Sequence, residues 1–264
     1  MSSRAPSTKL IVELAGAPGS GKTSIGVAVE AGCRMAGLQP MWSAASGRVL
    51  AFRTPLGRFV PSRLGGPLTR LQRLRSAIAH LALHPSLVWI VGRAQLRRPA
   101  GAMVRERGVV RWFVANVGVT RLFRRWSRPG EILLVEEGYA HRVVQLFTSP
   151  VESTDAEVVE RYFDAIPRPD LLVFVRADVT SCLERVKSRG VWDRLAHLSD
   201  EELEAFVRHA HAASEFALQA ACSRGWDVVE VDNVGDPDET RRAVADLIAV
   251  RLNSRERGWE EWAT

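Results

Sequence analysis

Leu10-Ile11-Val12-Glu13-Leu14-Ala15-Gly16-Ala17-Pro18-Gly19-Ser20-Gly21-Lys22-Thr23-Ser24-Ile25 decides how this chain is read. Gly16 to Thr23 match G-x-x-x-x-G-K-[ST], set between an apolar, β-branched run that suits a buried strand and a helix-compatible run from Thr23 to Ala36. Each residue type in the pattern has a physical task. The glycines let consecutive backbone N–H groups converge on an anion, and those groups open a helix whose dipole favours negative charge. Lys22 is expected to reach the β- and γ-phosphates of a nucleotide, and the Thr23 hydroxyl to ligate the bridging magnesium ion. The stretch Gly16, Ala17, Pro18, Gly19, Ser20, Gly21, Lys22, Thr23 and Ser24 therefore reads as a nucleoside triphosphate site.

The chain around it has 264 residues, enough for one large α/β domain with insertions. Apolar runs at Ile132 to Glu136, Leu171 to Val175 and Val228 to Val231, with a further strand near Pro40 to Ala44, suit a parallel sheet covered on both faces. Helical patterns at Glu152 to Ile166, Val179 to Arg189, Ser199 to Arg224 and Pro237 to Leu252 alternate with them. The expected fold is an α/β, doubly wound, mostly parallel five-stranded sheet in a single domain over 1–264.

Residues 45–130 break that alternation and read as a mostly helical, arginine-rich insertion between the second and third strands. Leu68, Leu71, Leu74, Ile78 and Leu81 recur at helical spacing, while Arg70, Arg73 and Arg75 lie elsewhere on the wheel. This stripe, with Trp89, Trp112 and Trp126, reads as core, an interface being the alternative. From Ala31 to Gly130 there are eighteen arginines, no lysine and the single acid Glu106, a net +17; Glu131 to Thr264 carry −12. Such a partition suits an anionic small-molecule acceptor; the alternatives are a lipid-linked acceptor or membrane surface, nucleic acid, or solvated faces. Arginine also replaces lysine nearly everywhere, with three lysines in the chain, which reflects compositional habit as much as a binding face.

Cys33, Cys182 and Cys222 form no C-x-x-C pair, which points away from a zinc site or disulfide framework and toward a reducing, cytoplasmic setting. Met1 to Thr8 lack the apolar core of a signal peptide, and the Ala77 to Gly92 run is shorter than the ~18 to 20 apolar residues a membrane span needs.

Beyond the phosphate loop, the chain resembles the thymidylate kinase-like branch of the P-loop nucleoside and nucleotide kinases. The resemblance is carried by Ile132-Leu133-Leu134-Val135-Glu136-Glu137-Gly138, Asp170-Leu171-Leu172-Val173-Phe174-Val175, Cys182 to Gly190, and Val228-Val229-Glu230-Val231-Asp232. It implies an ATP- and Mg2+-dependent phosphotransferase with a lid over 185–200 and acceptor binding in the insertion, where Arg48, Arg53 and Arg58 follow the second strand. It also implies that the third strand ends in a functional acid. Glu136 aligns best with the family's acid and is the expected magnesium ligand with Thr23; Glu137 takes that job if the strand ends one residue later. The family's arginine after that acid is missing, and so is the thymidylate-binding Pro-Gly-Gly segment, which speaks against thymidylate as the acceptor. Arg142, with His141 beside it, is the candidate replacement, expected to point back over the pocket. Arg185, Arg189 and Arg194 are the lid candidates for contacting transferred phosphate. No N-K-x-D guanine motif is present, so ATP is the expected donor. The alternative reading is a P-loop ATPase that acts as a switch, because Glu136-Glu137 also suits a strand-end acid followed by a carboxylate that polarises water.

Overall fold

A run of five or six consecutive apolar or strand-compatible residues has no polar face to turn to solvent, so it is stable only where both faces are covered. Residues Leu10–Ala15, Leu171–Arg176 and Glu131–Val135 are such runs, and in the computed structural model they form β1, β4 and β3, the three central strands of one sheet. The structure describes residues 9–60, 63, 65–96, 107–148, 154–192 and 195–262. β2 (Gln39–Trp42) and β5 (Val228–Asp232) are the edges, giving the order β2-β3-β1-β4-β5 with every pairing parallel. Val12 sits opposite Leu134 on one side and Leu171 on the other, so β1 lies at the centre. This is the five-stranded doubly wound sheet expected.

Side chains alternate along β1 and divide the core. Leu10, Val12 and Leu14 face one layer, where α1 (Lys22–Met35) supplies Ile25 and Val29 and α10 (Pro237–Trp262) supplies Val244 and Ile248. Ile11, Glu13 and Ala15 face the other. Over that face lie α5 (Arg107–Trp126), α6 (Arg142–Phe147), α7 (Ala156–Ala165) and α9 (Asp200–Ser223), with α8 (Val179–Ser188) beside the phosphate loop. Asp155, Asp178 and Ser199 cap α7, α8 and α9 with their side chains. The second strand stops at Trp42, two residues before its expected end, because Ser43-Ala44-Ala45-Ser46 are small and unbranched and start a helix instead.

The insertion is helical as read: α2 (Ser43–Arg53), a short 3-10 turn (Gly57–Phe59), α3 (Gly65–Leu83), α4 (Pro85–Leu96) and α5. Its burial differs from the expected core stripe. Leu68 and Ala77 are buried, but Leu71, Leu74 and Ile78 face solvent, and Trp89 and Trp112 are 68% and 54% exposed. Trp126 does pack, against the Ile11, Leu50 and Phe123 cluster. The cause is a close crossing of α3 on α5 at Gly118, where a Cβ would be driven into the Arg73 carbonyl. That contact turns Arg73 inward over Gly47, with its guanidinium reaching the Ala44 carbonyl, and burial lowers its pKa. The aliphatic side chains a few positions away are left outside. No single helix among the described residues is long and apolar enough to cross a membrane.

Candidate phosphate-transfer site

The loop after β1 opens α1, and the first turn of α1 is not capped from within. Gly21 precedes it in a left-handed conformation with φ +95°, offers no side-chain cap, and no acid occupies the first turn. The leading N–H groups of α1 thus remain free for an anion. Gly19, at φ +82°, packs so tightly on α8 that a Cβ would strike the Cys182 carbonyl. The loop is held from outside as well. The Asn233 amide donates to the Ser20 carbonyl at 2.7 Å, and Arg185 donates to the carbonyls of Gly19 and Ser20 at 3.3 and 3.4 Å. Ser24 accepts from Arg241 at 3.1 Å.

Lys22 folds back on the loop, its Nζ donating to the Gly16 and Ala17 carbonyls at 3.1 and 2.8 Å. These oxygens stand where phosphate oxygens would bind the ammonium. Burial lowers the Lys22 pKa from 10.5 to about 8, opposed by the nearby carboxylates of Glu137 and Glu136. Cys182 and Arg189 also weigh on it, which puts Arg189 within electrostatic reach of the loop.

The Thr23 hydroxyl donates to the Glu136 carboxylate. A hydroxyl and a carboxylate thus meet beside the phosphate loop at the end of β3, the donor pair that a magnesium ion bridging nucleotide phosphates takes from a protein. Among the described residues no group of three or more His, Cys, Asp or Glu converges as a metal cage. A nucleotide-bound magnesium needs none, since phosphates and water complete its octahedron.

Glu137 points elsewhere. Its carboxylate lies 3.3 Å from the Arg142 guanidinium and accepts from Gln145 at 3.3 Å, while the Asn116 side chain of α5 donates to its backbone carbonyl at 2.5 Å. Arg142 is only 2% exposed; its Nη1 donates to the Gln145 side chain, its Nη2 is the atom facing Glu137, and its Nε has no hydrogen-bond partner among the described residues. It lies buried beneath Glu137, where the sequence reading had it over the pocket; α6 begins at Arg142 itself and turns its side chain into the core. His141 is buried beside it, its Nδ1 3.1 Å from the Gly16 carbonyl.

Glu13 escaped the sequence reading as a site residue. It lies within β1, 2% exposed, and one of its carboxylate oxygens accepts from Ala140 N at 2.6 Å and His141 N at 3.1 Å. A Cβ on Gly138 would collide with its carboxyl group. Burial raises its pKa from 4.5 to about 7 against those hydrogen bonds. Glu13 therefore ties the segment after β3 to β1, and through His141 to Gly16. Asn233 was also missed as a brace. A lone acid in an otherwise apolar strand was the available signal for Glu13; no local signal marked Asn233.

No protein-family model matches the chain, and no curated protein matches its sequence. In three dimensions it is similar to two structures of deoxyadenosine kinase from M. mycoides, one with dCMP and dCDP and one with dATP. They are 12% and 13% identical, cover 93% and 92% of this chain and all of theirs, and have TM-scores of 0.46 and 0.45. It is also similar to shikimate kinase from Acinetobacter baumannii in complex with shikimate, at 14% identity, 94% and 96% coverage and a TM-score of 0.38. Likenesses this distant assign neither nucleoside nor shikimate to this chain.

The remaining candidates lie apart. The Arg189 guanidinium stacks 4.9 Å over the Trp192 ring just beyond the end of α8. Arg194 lies outside the described residues, as do Met1 to Thr8 and the side chain of Arg58. Arg53 forks onto Glu131 at 2.6 and 2.7 Å, at the amino end of β3 and away from the loop, while Arg48 lies against Gly65. Cys33 and Cys182 are buried thiols and Cys222 is exposed.

Proposed function

We propose that the protein is an ATP- and magnesium-dependent phosphotransferase that moves the γ-phosphate to a hydroxyl or phosphate of an anionic small molecule. The observation that carries this reading is the Thr23–Glu136 pair beside an uncapped phosphate loop, with Lys22 held on carbonyls that phosphate would displace. In the working cycle the N–H groups of Gly19 to Thr23 and the Lys22 ammonium bind the β- and γ-phosphates. Thr23 and Glu136 would hold magnesium, which would supply charge neutralisation at those phosphates. Glu137, carried on the next residue and held by Arg142, faces the acceptor side and takes the proton of the incoming hydroxyl. Arg189 swings from Trp192 over the transferring group and excludes water. Asn116 ties the arginine-rich insertion to this end of the sheet, which supports the insertion as the acceptor wall.

The test is transfer of labelled γ-phosphate from ATP into pools of nucleosides, nucleotides, sugars, lipid alcohols and cell extract, by the wild type and Lys22→Ala. A labelled product dependent on Lys22 is the expected result and names the acceptor. Label released only as free phosphate from every pool would replace this reading with that of an ATPase switch.

A further inference from the structure

Of the large apolar side chains exposed among the described residues, ten of fifteen lie between Val49 and Trp112, so most of the exposed apolar surface belongs to the insertion. On α3, Leu71, Leu74 and Ile78 are about half exposed and fall on one stripe. The stripe leads into a groove of about 480 Å³ where α3 meets α4, lined by Leu81, Pro85, Val88, Trp89 and Arg93. The other edge of α3 borders a cleft of about 630 Å³ between α3 and α5, lined by Arg75, Arg121, Arg124 and Arg125 with Trp126. Arg124 pairs with Asp170 at 2.8 Å and Arg125 stacks on Trp126, while among the described residues Arg75 and Arg121 have no hydrogen-bond or ion-pair partner. A hydrophobic ridge and an arginine cleft therefore share one helix.

We propose that this face docks on an anionic lipid bilayer, the ridge and Trp89 entering the interface and the arginine cleft meeting lipid phosphates. Tryptophan and aliphatic side chains flanked by arginine are what the boundary between headgroups and acyl chains selects. α3 and α4 together have the length and composition of a span, but they meet at 101°, an angle that no straight crossing allows. Charge selects a bilayer over a second copy of the chain. Between Ala31 and Gly130 the only acid is Glu106, so a symmetric dimer through this face would bring two strongly positive surfaces together. An anionic membrane presents the opposite sign over an area as wide as the insertion. The inference is independent of the phosphotransfer reading, since it uses neither Lys22 nor the strand ends.

The experiment is co-flotation of the full chain with vesicles of phosphatidylcholine alone or with 30% phosphatidylserine. The wild type and Lys22→Ala are both expected to float with the anionic vesicles only, and less so as salt is raised. Ile78→Glu with Trp89→Ser, both at exposed positions, is expected to weaken flotation at least tenfold while thermal unfolding and nucleotide binding stay as in the wild type. Arg75→Glu with Arg121→Glu should weaken it as much and flatten the salt dependence. Absence of flotation with anionic vesicles overturns the proposal, and so does flotation indifferent to these substitutions. A dimer in sedimentation that Ile78→Glu and Trp89→Ser dissociate also overturns it, by showing that a second copy covers the face.

Discussion

The Thr23 hydroxyl donates to the Glu136 carboxylate, joining the first turn of α1 to the end of β3. In the proposed function the same two oxygens would face one magnesium ion, so removing either should act through the metal. Glu136→Gln is expected to lower kcat by at least about 100-fold and to raise the magnesium concentration needed for half-maximal rate. Thr23→Val should give the same phenotype, and the double variant little more, because the two act as a unit. Magnesium titrations of the three variants check this; strictly additive losses, or an unchanged magnesium requirement, would show that the pair does not hold the ion.

Lys22, the main charge partner of the anion in the proposed function, has its pKa lowered to about 8 by burial. Bound phosphate stabilises the charged form, so above about pH 8 nucleotide binding has to take up a proton, whereas near pH 6.5 Lys22 is already charged. Affinity is therefore expected to fall as pH rises through 8, by at most tenfold per unit. Calorimetry at pH 8.5 in buffers of different ionisation enthalpy should report proton uptake that Lys22→Met abolishes. Equal heats in all buffers would mean that Lys22 stays charged in the free protein.

Arg142 is a buried cation whose neighbouring carboxylate, on Glu137, is 43% exposed. Leaving a buried charge without a partner costs about 3 to 5 kcal/mol, and solvent reaching Glu137 reduces that to about 1 to 2 for Glu137→Gln. Arg142→Met removes both the charge and its need, so stability should hold while phosphoryl transfer falls because Glu137 loses its orientation. Thermal melts and kcat measured on both variants decide it. A severe loss of stability in Arg142→Met together with a harmless Glu137→Gln would mean that the hydrogen bond to Gln145, and not Glu137, holds the guanidinium.

The parts of this arrangement visible in the sequence are those that local chemistry dictates. The phosphate loop is a fixed spacing of glycines, lysine and threonine, and β1, β3 and β4 are apolar runs that only a doubly covered sheet accommodates. That Glu136 meets Thr23 while Glu137 meets Arg142 is not visible in the sequence, because adjacent residues at a strand end diverge and a one-residue shift of the end exchanges them. The exposed Leu71, Leu74, Ile78 and Trp89 were misassigned to the core for a related reason. Periodicity shows which residues share a face of a helix, and the crossing of α3 on α5 at Gly118 decides which face is covered.

Glu13 is the place where pH should act on the fold itself. Its pKa is raised from 4.5 to about 7, so between those values the folded chain holds a proton that the unfolded chain has released. By linkage its contribution is complete below about pH 4.5 and is lost as pH rises through 7, a change of roughly 3 kcal/mol. His80 works in the opposite direction. Burial lowers its pKa from 6.5 to about 4, so its contribution is lost as pH falls through 4. The informative quantity is thus the difference between the wild type and Glu13→Gln, whose amide oxygen still accepts from the Ala140 and His141 N–H groups but never ionises. At pH 8 Glu13→Gln should melt about 5 to 10 °C above the wild type, and the gap should close by pH 5. A gap that is the same at both pH values would show that the Glu13 carboxyl is ionised throughout, and that Ala140 and His141 hold it as a charged clamp on the phosphate loop.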